Sequence, residues 1–92
     1  MIKIIDNDLF RAGEKIGWIE ENRILDENGN RLGYFAANDI YDERGVRVGY
    51  LEDNRLKTMD GRSLALDDVR EDISGGSYAD ICRAAIKLLI GD

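Results

Sequence analysis

Acidic side chains in adjacent pairs are the first residues of this 92-residue chain that could do chemistry. The pairs are Glu20-Glu21, Glu52-Asp53 and Asp67-Asp68. Two neighbouring carboxyl groups can serve as acid and base in glycoside hydrolysis, provided that the environment raises the pKa of one of them. These pairs fall at turns that we expect to be exposed, where no desolvation would raise a pKa. We therefore interpret them as solvated surface charge and predict no catalytic residue.

A calcium loop is the second candidate for chemistry. Asp26, Asn28 and Asn30 alternate as the first ligands of an EF-hand loop do. That loop also needs glycine at its sixth position and glutamate at its twelfth, where this chain has Arg31 and Ala37. A polar hairpin tip explains the same residues without a metal ion. We predict no metal site here.

The remaining chemistry is limited by the absence of histidine, which removes the commonest general base and the commonest zinc ligand. The single cysteine, Cys82, has no activating histidine and cannot build a thiolate metal site alone. We interpret it as a small core residue. The segment Gly13-Glu14-Lys15-Ile16-Gly17 lacks the Gly-Lys-Ser/Thr ending of a phosphate-binding loop. The sequence therefore predicts no cofactor and no enzyme.

Charge and composition exclude further classes of function. The formal net charge is −6, and no segment concentrates the basic residues that binding to a phosphate backbone requires. We predict that the protein binds neither nucleic acid nor an anionic membrane surface. No apolar run approaches the roughly 20 residues that span a bilayer. A lone cysteine gives no reason to expect an oxidising compartment, so we expect a cytoplasmic protein.

The elements that position these residues come from an internal repeat with a period of 16 residues. One series of glycines marks the period, and a second series follows it four residues later: Gly13, Gly29, Gly45 and Gly61, then Gly17, Gly33, Gly49 and, in the last unit, Ala65. A fixed period of this kind means that each unit is one supersecondary element.

Asparagines alternate with the first series of glycines, at Asn22, Asn38 and Asn54. Glycine and asparagine readily take the positive φ that tight hairpin turns require. The apolar stretches between them are about five residues long, which is the usual length of a strand. The spacing predicts a domain over residues 1–70 made of four β-hairpins, or about eight antiparallel strands, with Met1 to Ile5 as a further edge.

Strict alternation along these strands predicts which side chains share a face. It places Ile16, Leu32, Val48 and Leu64 with Trp18, Tyr34 and Tyr50 in the core, and Ile19, Phe35 and Leu51 on the opposite face. A second interpretation leaves the three aromatic rings exposed, as the cage of a carbohydrate- or quaternary-amine-binding repeat.

Residues 71–92 are predicted to be a linker and a C-terminal helix, because a helical period starts at residue 77. Ser77 and Asp80 suggest a capping box, the helix is predicted over Tyr78 to Ile90, and Gly91 suits the position after its end. Apolar side chains cover an arc of roughly 240° on this helix, more than one sheet face can cover. The helix either plugs the array or meets a second chain, so we expect a homo-oligomer or a protein partner through helix 78–90.

The repeated order of an apolar pair, aspartate, a turn with glycine, and Gly-aromatic-apolar resembles the four-fold β-flower domain, a small bacterial family. Segments 40–42 and 48–51 show the order, and the match covers about residues 5–67. The resemblance implies a mainly β fold in which four 16-residue hairpins surround a pseudo-four-fold axis, here with one C-terminal α-helix added. Leu66-Asp67 departs from the pattern in the fourth unit. The family has no established function, so the resemblance implies no site residue.

Together these observations predict a non-enzymatic structural or protein-interaction module. The alternative is a module that binds a small carbohydrate or quaternary-amine ligand through the repeated aromatic residues.

Overall fold

Short strands fill the repeat region of the computed structural model, which describes residues 1–91. In chain order the elements are β1 Ile2–Ile5, β2 Asp8–Arg11, β3 Glu14–Glu20, β4 Arg23–Asp26, β5 Arg31–Ala36, β6 Asp39–Asp42, β7 Arg47–Glu52, β8 Arg55–Thr58, β9 Ser63–Ala65, α1 Leu66–Asp72, β10 Ile73–Ser74 and α2 Asp80–Leu89. The strands of this part of the chain form one sheet in the order β10-β1-β2-β3-β4-β5-β6-β7-β8-β9. A mainly β chain with a C-terminal helix is therefore confirmed.

Two kinds of turn join the strands from β1 to β9. The predicted glycine turns are confirmed, because the glycines of the first series all have φ between 80° and 94°. At the other turns, the prediction that asparagine takes the positive φ is wrong at Asn22 and Asn38, because the residue directly before each has it instead. It holds at Asn54, which has φ of 61°. The backbone carbonyl oxygen of the asparagine then accepts a hydrogen bond from the strand after next. The N–H nitrogen of Phe35 in β5, for example, lies 3.0 Å from the carbonyl oxygen of Asn22. This bond extends the pairing of β4 with β5 by one residue.

One bulge in each of the first three units decides the face of every side chain that follows it. Ile16, Leu32 and Val48 are each the extra residue opposite the neighbouring strand. In such a bulge two successive residues oppose one, so both turn toward the same face. The apolar residue and the glycine after it therefore lie on the inner face, and the aromatic residue lies on the outer face. The fourth unit pairs β8 with β9 without a shift.

The predicted core must accordingly be corrected. Trp18, Tyr34 and Tyr50 do not belong to the buried cluster, whereas Ile19 is in it and Phe35 and Leu51 pack against it. Strict alternation from Ile16 gave the wrong face because alternation does not continue through a bulge. The fully buried residues are Ile2, Ile4, Leu9, Ile24, Ile40, Leu56, Val69, Ile73, Cys82, Ala84, Ala85 and Ile86.

Helix α2 lies on the inner face, where it contacts β4 to β7. Glycines of the second series make room for it. A methyl group at Gly33 would lie 2.8 Å from Leu89 Cδ1, and one at Gly49 would lie 2.5 Å from Leu88 Cδ1. A methyl group at Gly17, Gly33 or Gly49 would also press on a backbone oxygen of the next strand, that of Leu25, Tyr41 or Lys57 respectively. The recurrence of glycine inside these strands therefore reflects the close approach of the neighbouring backbone, to which the helix adds at Gly33 and Gly49.

The segment after β9 holds an element that the sequence analysis missed. Helix α1 begins at Leu66, where the fourth unit loses its Gly-aromatic pair, and it crosses the predicted boundary between residues 70 and 71. Asp67 and Asp68 suit its first turn because carboxylates are favourable at a helix N-terminus. Strand β10 then pairs with β1 in parallel, so this segment is not merely a linker.

The bounds of α2 also need correction at the N-terminus. The helix begins at Asp80 rather than at Tyr78, its N-cap is Ala79, and no side chain caps it. The capping box of Ser77 with Asp80 does not form, because the Asp80 carboxylate binds Arg70 instead. At the other end, Gly91 has φ of +84°, as predicted for the residue that follows the C-cap.

Candidate functional site

The adjacent acidic pairs lie at exposed positions and are engaged by nearby cations. Glu20 Oε1 lies 2.7 Å from an Arg23 guanidinium nitrogen, and Glu52 Oε1 lies 2.8 Å from Lys57 Nζ. The hydrogen bond from Lys57 lowers the pKa of Glu52, and the same bond raises the pKa of Lys57. A lowered pKa is the opposite of what a catalytic acid needs. Glu52 is therefore not poised to act as a catalytic acid.

Aspartates at the glycine turns close the hairpin tips. Asp26 Oδ1 accepts bonds of 2.9 Å from the backbone N–H groups of Asn28 and Asn30, and Asp42 does the same for Arg44 and Val46. These backbone bonds hold the pKa of each carboxyl below its ordinary value of 3.8. The carboxylate oxygens of Asp26, the first candidate calcium ligand, are thus bonded within the turn itself.

No group of three or more cysteine, aspartate or glutamate side chains within residues 1–91 is placed to hold a metal ion. Cys82 lies in the core with 1% of its surface exposed. Burial raises the pKa of its thiol to about 12, so the thiol stays protonated near neutral pH. Its position agrees with the interpretation of a small core residue.

Segment 66–76 of the same chain packs against the polar stripe of α2, which consists of Asp80, Arg83 and Lys87. Arg70 Nη2 lies 2.7 Å from Asp80 Oδ2, and Lys87 Nζ lies 2.8 Å from Asp72 Oδ2. Arg83 donates to the carbonyl oxygen of Ile73 at 2.9 Å. The sheet covers the apolar arc of the helix and α1 with β10 covers the polar stripe. Residues 80–91 are accordingly all buried or half-buried.

The outer face of the sheet carries a belt of half-buried rings, which we call the aromatic belt: Phe10, Trp18, Tyr34, Tyr41 and Tyr50. Cations lie over three of these rings. The distances to the ring centroids are 5.2 Å for Lys15 Nζ over Trp18, 5.7 Å for the Arg31 guanidinium carbon over Tyr34 and 4.4 Å for that of Arg47 over Tyr50. Such contacts contribute roughly 0.5–1 kcal/mol each at exposed sites.

The ring faces in this belt are turned toward neighbouring side chains. The centroids of Tyr34 and Tyr41 are 4.9 Å apart with 16° between the ring planes, and neighbouring strands are also about 4.8 Å apart. The two rings therefore stack across the pair of strands, and Arg31 occupies a further position against Tyr34. Trp18 also reaches the next hairpin, where its ring lies 3.5 Å from the position of a methyl group at Gly29.

A third feature, at the β1 end of the outer face, was missed by the sequence analysis. We call it the N-terminal patch; it is lined by Met1, Lys3, Ile5, Phe10, Ala12, Gly13 and Ser74 around a cavity of 640 Å³. Met1 is 72% exposed and Ile5 is 49% exposed. The signal was the run Ile2-Lys3-Ile4-Ile5, which has apolar residues on both faces of a strand although only one face meets the core.

Comparison of this chain with protein-family models, with curated proteins and with solved structures finds no match. Within the part of the chain that the structure describes, no helix is long and apolar enough to cross a membrane.

Proposed function

We propose that this protein is a non-enzymatic protein-interaction module, built as four β-hairpins in a pseudo-four-fold arrangement and related to the β-flower domains. Support for the arrangement comes from the recurring bulges and turns and from the position of α2 against the glycines of successive hairpins. The absence of an established function in that family leaves the role to be argued from the surface. A cytoplasmic location is part of the proposal, and the unpaired thiol of Cys82 agrees with it.

The observation that carries the proposal is the N-terminal patch. Isolated apolar side chains on a surface are ordinary, but a cluster around a concave region is typical of an interaction site. Ile5 and Phe10 lie on adjacent strands of this patch, and the aromatic belt continues from it over the next strands. Tyrosine, tryptophan and arginine, which the belt and its cations supply, are the residues most enriched at protein–protein contacts.

The small-ligand alternative has less support. A carbohydrate or quaternary amine needs open ring faces, and the faces of Tyr34 are occupied by Tyr41 and Arg31. Nucleic acid is not proposed either, because Lys15 and Arg47 each lie 3.0 Å from a carboxylate oxygen. The belt therefore offers no concentrated positive charge to a phosphate backbone.

A partner at helix 78–90 stays a prediction. Its polar stripe binds segment 66–76 and its centre is buried, so the accessible part is limited to half-buried side chains such as Leu88 and Leu89. We place the proposed interaction surface on the N-terminal patch because its apolar side chains are more exposed.

A photo-crosslinking amino acid at position 5 tests the proposal in living cells. We expect covalent adducts with protein from position 5, and none from position 46 at a glycine turn outside the patch, where Val46 is 52% exposed. Position 46 is a matched control because an exposed aliphatic side chain is replaced there too. Absence of adducts at position 5, or equal adducts at both positions, would contradict the proposal.

A further inference from the structure

We propose that the aromatic belt binds an extended acidic segment of another protein, whose carboxylates at every third residue meet a row of cations. This inference rests on the proposed function, because it names the chemistry of a partner for the belt. Its starting point is a basic residue that repeats with the units. Lys15, Arg31 and Arg47 are 16 residues apart, and each lies over the aromatic ring three residues later. We call these three residues the cation row.

Charge is divided unevenly between the outer face and the rest of the chain. Strand positions that point outward by their pairing carry seven of the 13 basic residues and four of the 19 acidic residues. The face therefore has a formal charge of +3, and the rest of the sequence carries −9. The basic residues are Lys3, Lys15, Arg23, Arg31, Arg47, Arg55 and Lys57, and the acidic residues are Asp8, Glu20, Asp39 and Glu52.

This division selects the sign of the partner. An acidic segment is attracted to the outer face and repelled by the remaining surface, so the field of the protein orients it onto the belt. Two outer faces carry like charge and repel each other. A face-to-face contact between two copies of the chain is therefore not the occupant.

Arg31, the middle member of the cation row, is the anchor for a carboxylate. Lys15 and Arg47 each lie 3.0 Å from an aspartate oxygen. The aspartates that hold them directly follow the asparagine of a turn, and the second unit has Arg23 at that position. Arg31 is exposed and forms no ion pair with a carboxylate of residues 1–91. Its guanidinium group can therefore form a charge-assisted hydrogen bond with a partner.

The spacing of the cation row selects the conformation of the partner. Its members lie on β3, β5 and β7, which are every second strand of the sheet. Neighbouring strands are about 4.8 Å apart, so successive cations are roughly 9.6 Å apart. A polyproline II segment has three residues per turn and a rise of about 3.1 Å, so every third side chain lies on one face about 9.3 Å along. Surfaces lined by aromatic residues commonly bind this conformation.

Nucleic acid is the other polyanion to consider, and the belt disfavours it. Bases bind such surfaces by stacking on open ring faces, whereas a cation lies over each of Trp18, Tyr34 and Tyr50. The four outward carboxylates also repel a chain that carries a phosphate at every nucleotide. A polypeptide instead brings one carboxylate for each cation and places its other side chains between them.

A nuclear magnetic resonance titration of the full, isotopically labelled chain measures this binding. The probe is a short peptide of Glu-Pro-Pro repeats, and the comparison peptide has the same composition with its glutamates adjacent. At an ionic strength of about 0.15 M the screening length is about 8 Å, so the local charge of the face outweighs the net charge of −6. We expect shifts on the outer face at millimolar probe and an affinity about fivefold lower for the comparison peptide.

Three variants test the role of the cation row. Arg31→Gln should weaken binding of the probe by about tenfold, because it removes the charge of the anchor. Arg62→Gln is the matched control and should leave binding unchanged, since it removes the same charge from an exposed arginine beside α2. Asp39→Asn frees Arg47 from its carboxylate and should strengthen binding by about threefold. Such a gain of affinity cannot arise from unfolding.

Absence of binding at millimolar probe would overturn the inference, and so would equal affinity for the two peptides. Equal losses from Arg31→Gln and Arg62→Gln would overturn it as well. Tighter binding of single-stranded oligothymidylate than of the probe would overturn it in favour of nucleic acid. Crosslinking at position 5 separates these failures from failure of the proposed function. Adducts with protein at position 5 without binding of the probe would overturn the acidic partner and leave the interaction module standing.

Discussion

The inner and outer faces of the same strands are packed in two different ways. On the inner face, Gly33 and Gly49 lie beneath Leu89 and Leu88 of α2, and aliphatic residues surround them. On the outer face, the next residue along each strand is a tyrosine that packs against a cation. Ordinary alternation puts the smallest and the largest side chains of a unit on opposite faces, and the bulge before each glycine turns the glycine toward the helix and the aromatic ring outward.

This difference separates residues that hold the fold from residues that shape its surface. Removing inner atoms leaves a cavity beneath a helix, whereas removing outer atoms returns surface to water at small cost. The expected losses of stability should therefore rank by face rather than by residue size.

The largest effect is expected when α2 is loosened from the inner face. Leu88→Ser with Leu89→Ser should lower the free energy of unfolding by roughly 4 kcal/mol, since each half-buried leucine contributes about 2 kcal/mol. Leu25→Ser on the outer face is the control and should cost less than about 1 kcal/mol. Urea unfolding together with light scattering checks this. Unchanged stability accompanied by a lower mass would instead identify the helix as an interface between chains.

A methyl group on the inner face should have the next largest effect. Gly33→Ala places carbon against Leu89 and the backbone oxygen of Tyr41, and we expect a loss of about 3 kcal/mol from overpacking. Gly13→Ala is the matched control. It has positive φ but no atom within 4 Å of the added methyl, so only backbone strain of roughly 1 kcal/mol applies. Equal losses in thermal unfolding would contradict the packing argument.

Adjacent residues on opposite faces give a direct comparison. Phe35→Ala should cost about 2 kcal/mol because its half-buried ring packs against the core. Tyr34→Ala should cost about 1 kcal/mol, the size of one stacked pair and one cation contact on a surface. Chemical denaturation of both single variants measures the difference. A larger loss from Tyr34→Ala would show that the aromatic belt, rather than the inner face, dominates stability.

The smallest effect concerns the carboxyl groups at the glycine turns and depends on pH. Backbone bonds lower the pKa of Asp26 and Asp42 in the folded state below the ordinary value of 3.8. Their stabilising contribution is therefore present above that value and is lost as the pH falls through the lowered pKa. Asp26→Asn with Asp42→Asn should flatten the acid side of the stability curve. Unfolding measured between about pH 5 and pH 2 checks it, and parallel curves for the wild type and the variant would contradict it.

Much of the fold could be predicted from the sequence because its signals are local. Turn residues at Gly29 and Gly61, strand length and the helical period after residue 77 depend only on nearby side chains. The face of Trp18 could not be predicted in the same way. Its face depends on a bulge at Ile16 that becomes visible only when the partner strand is known.

Two further features depend on contacts between distant residues. The parallel pairing of Ile2 with Ile73 joins opposite ends of the chain, and nothing near either residue signals it. Helix α1 is short. The repeat pattern breaks off at Leu66, which indicates that the last unit is incomplete but does not indicate that a helix follows. The N-terminal patch was missed for a related reason, because the core face of β1 follows from its pairing with β2 and β10.

The recurring bulge also limits how this architecture can change in length. A complete unit of 16 residues contains one bulge and two turns, so its duplication or removal would leave every other side chain on its present face. Loss of Leu32 alone would instead remove one bulge and the leucine that it turns toward the core, while Arg31 and Gly33 keep their partners on β4. We therefore expect such a protein to lengthen or shorten by duplication or loss of gene segments that encode whole units.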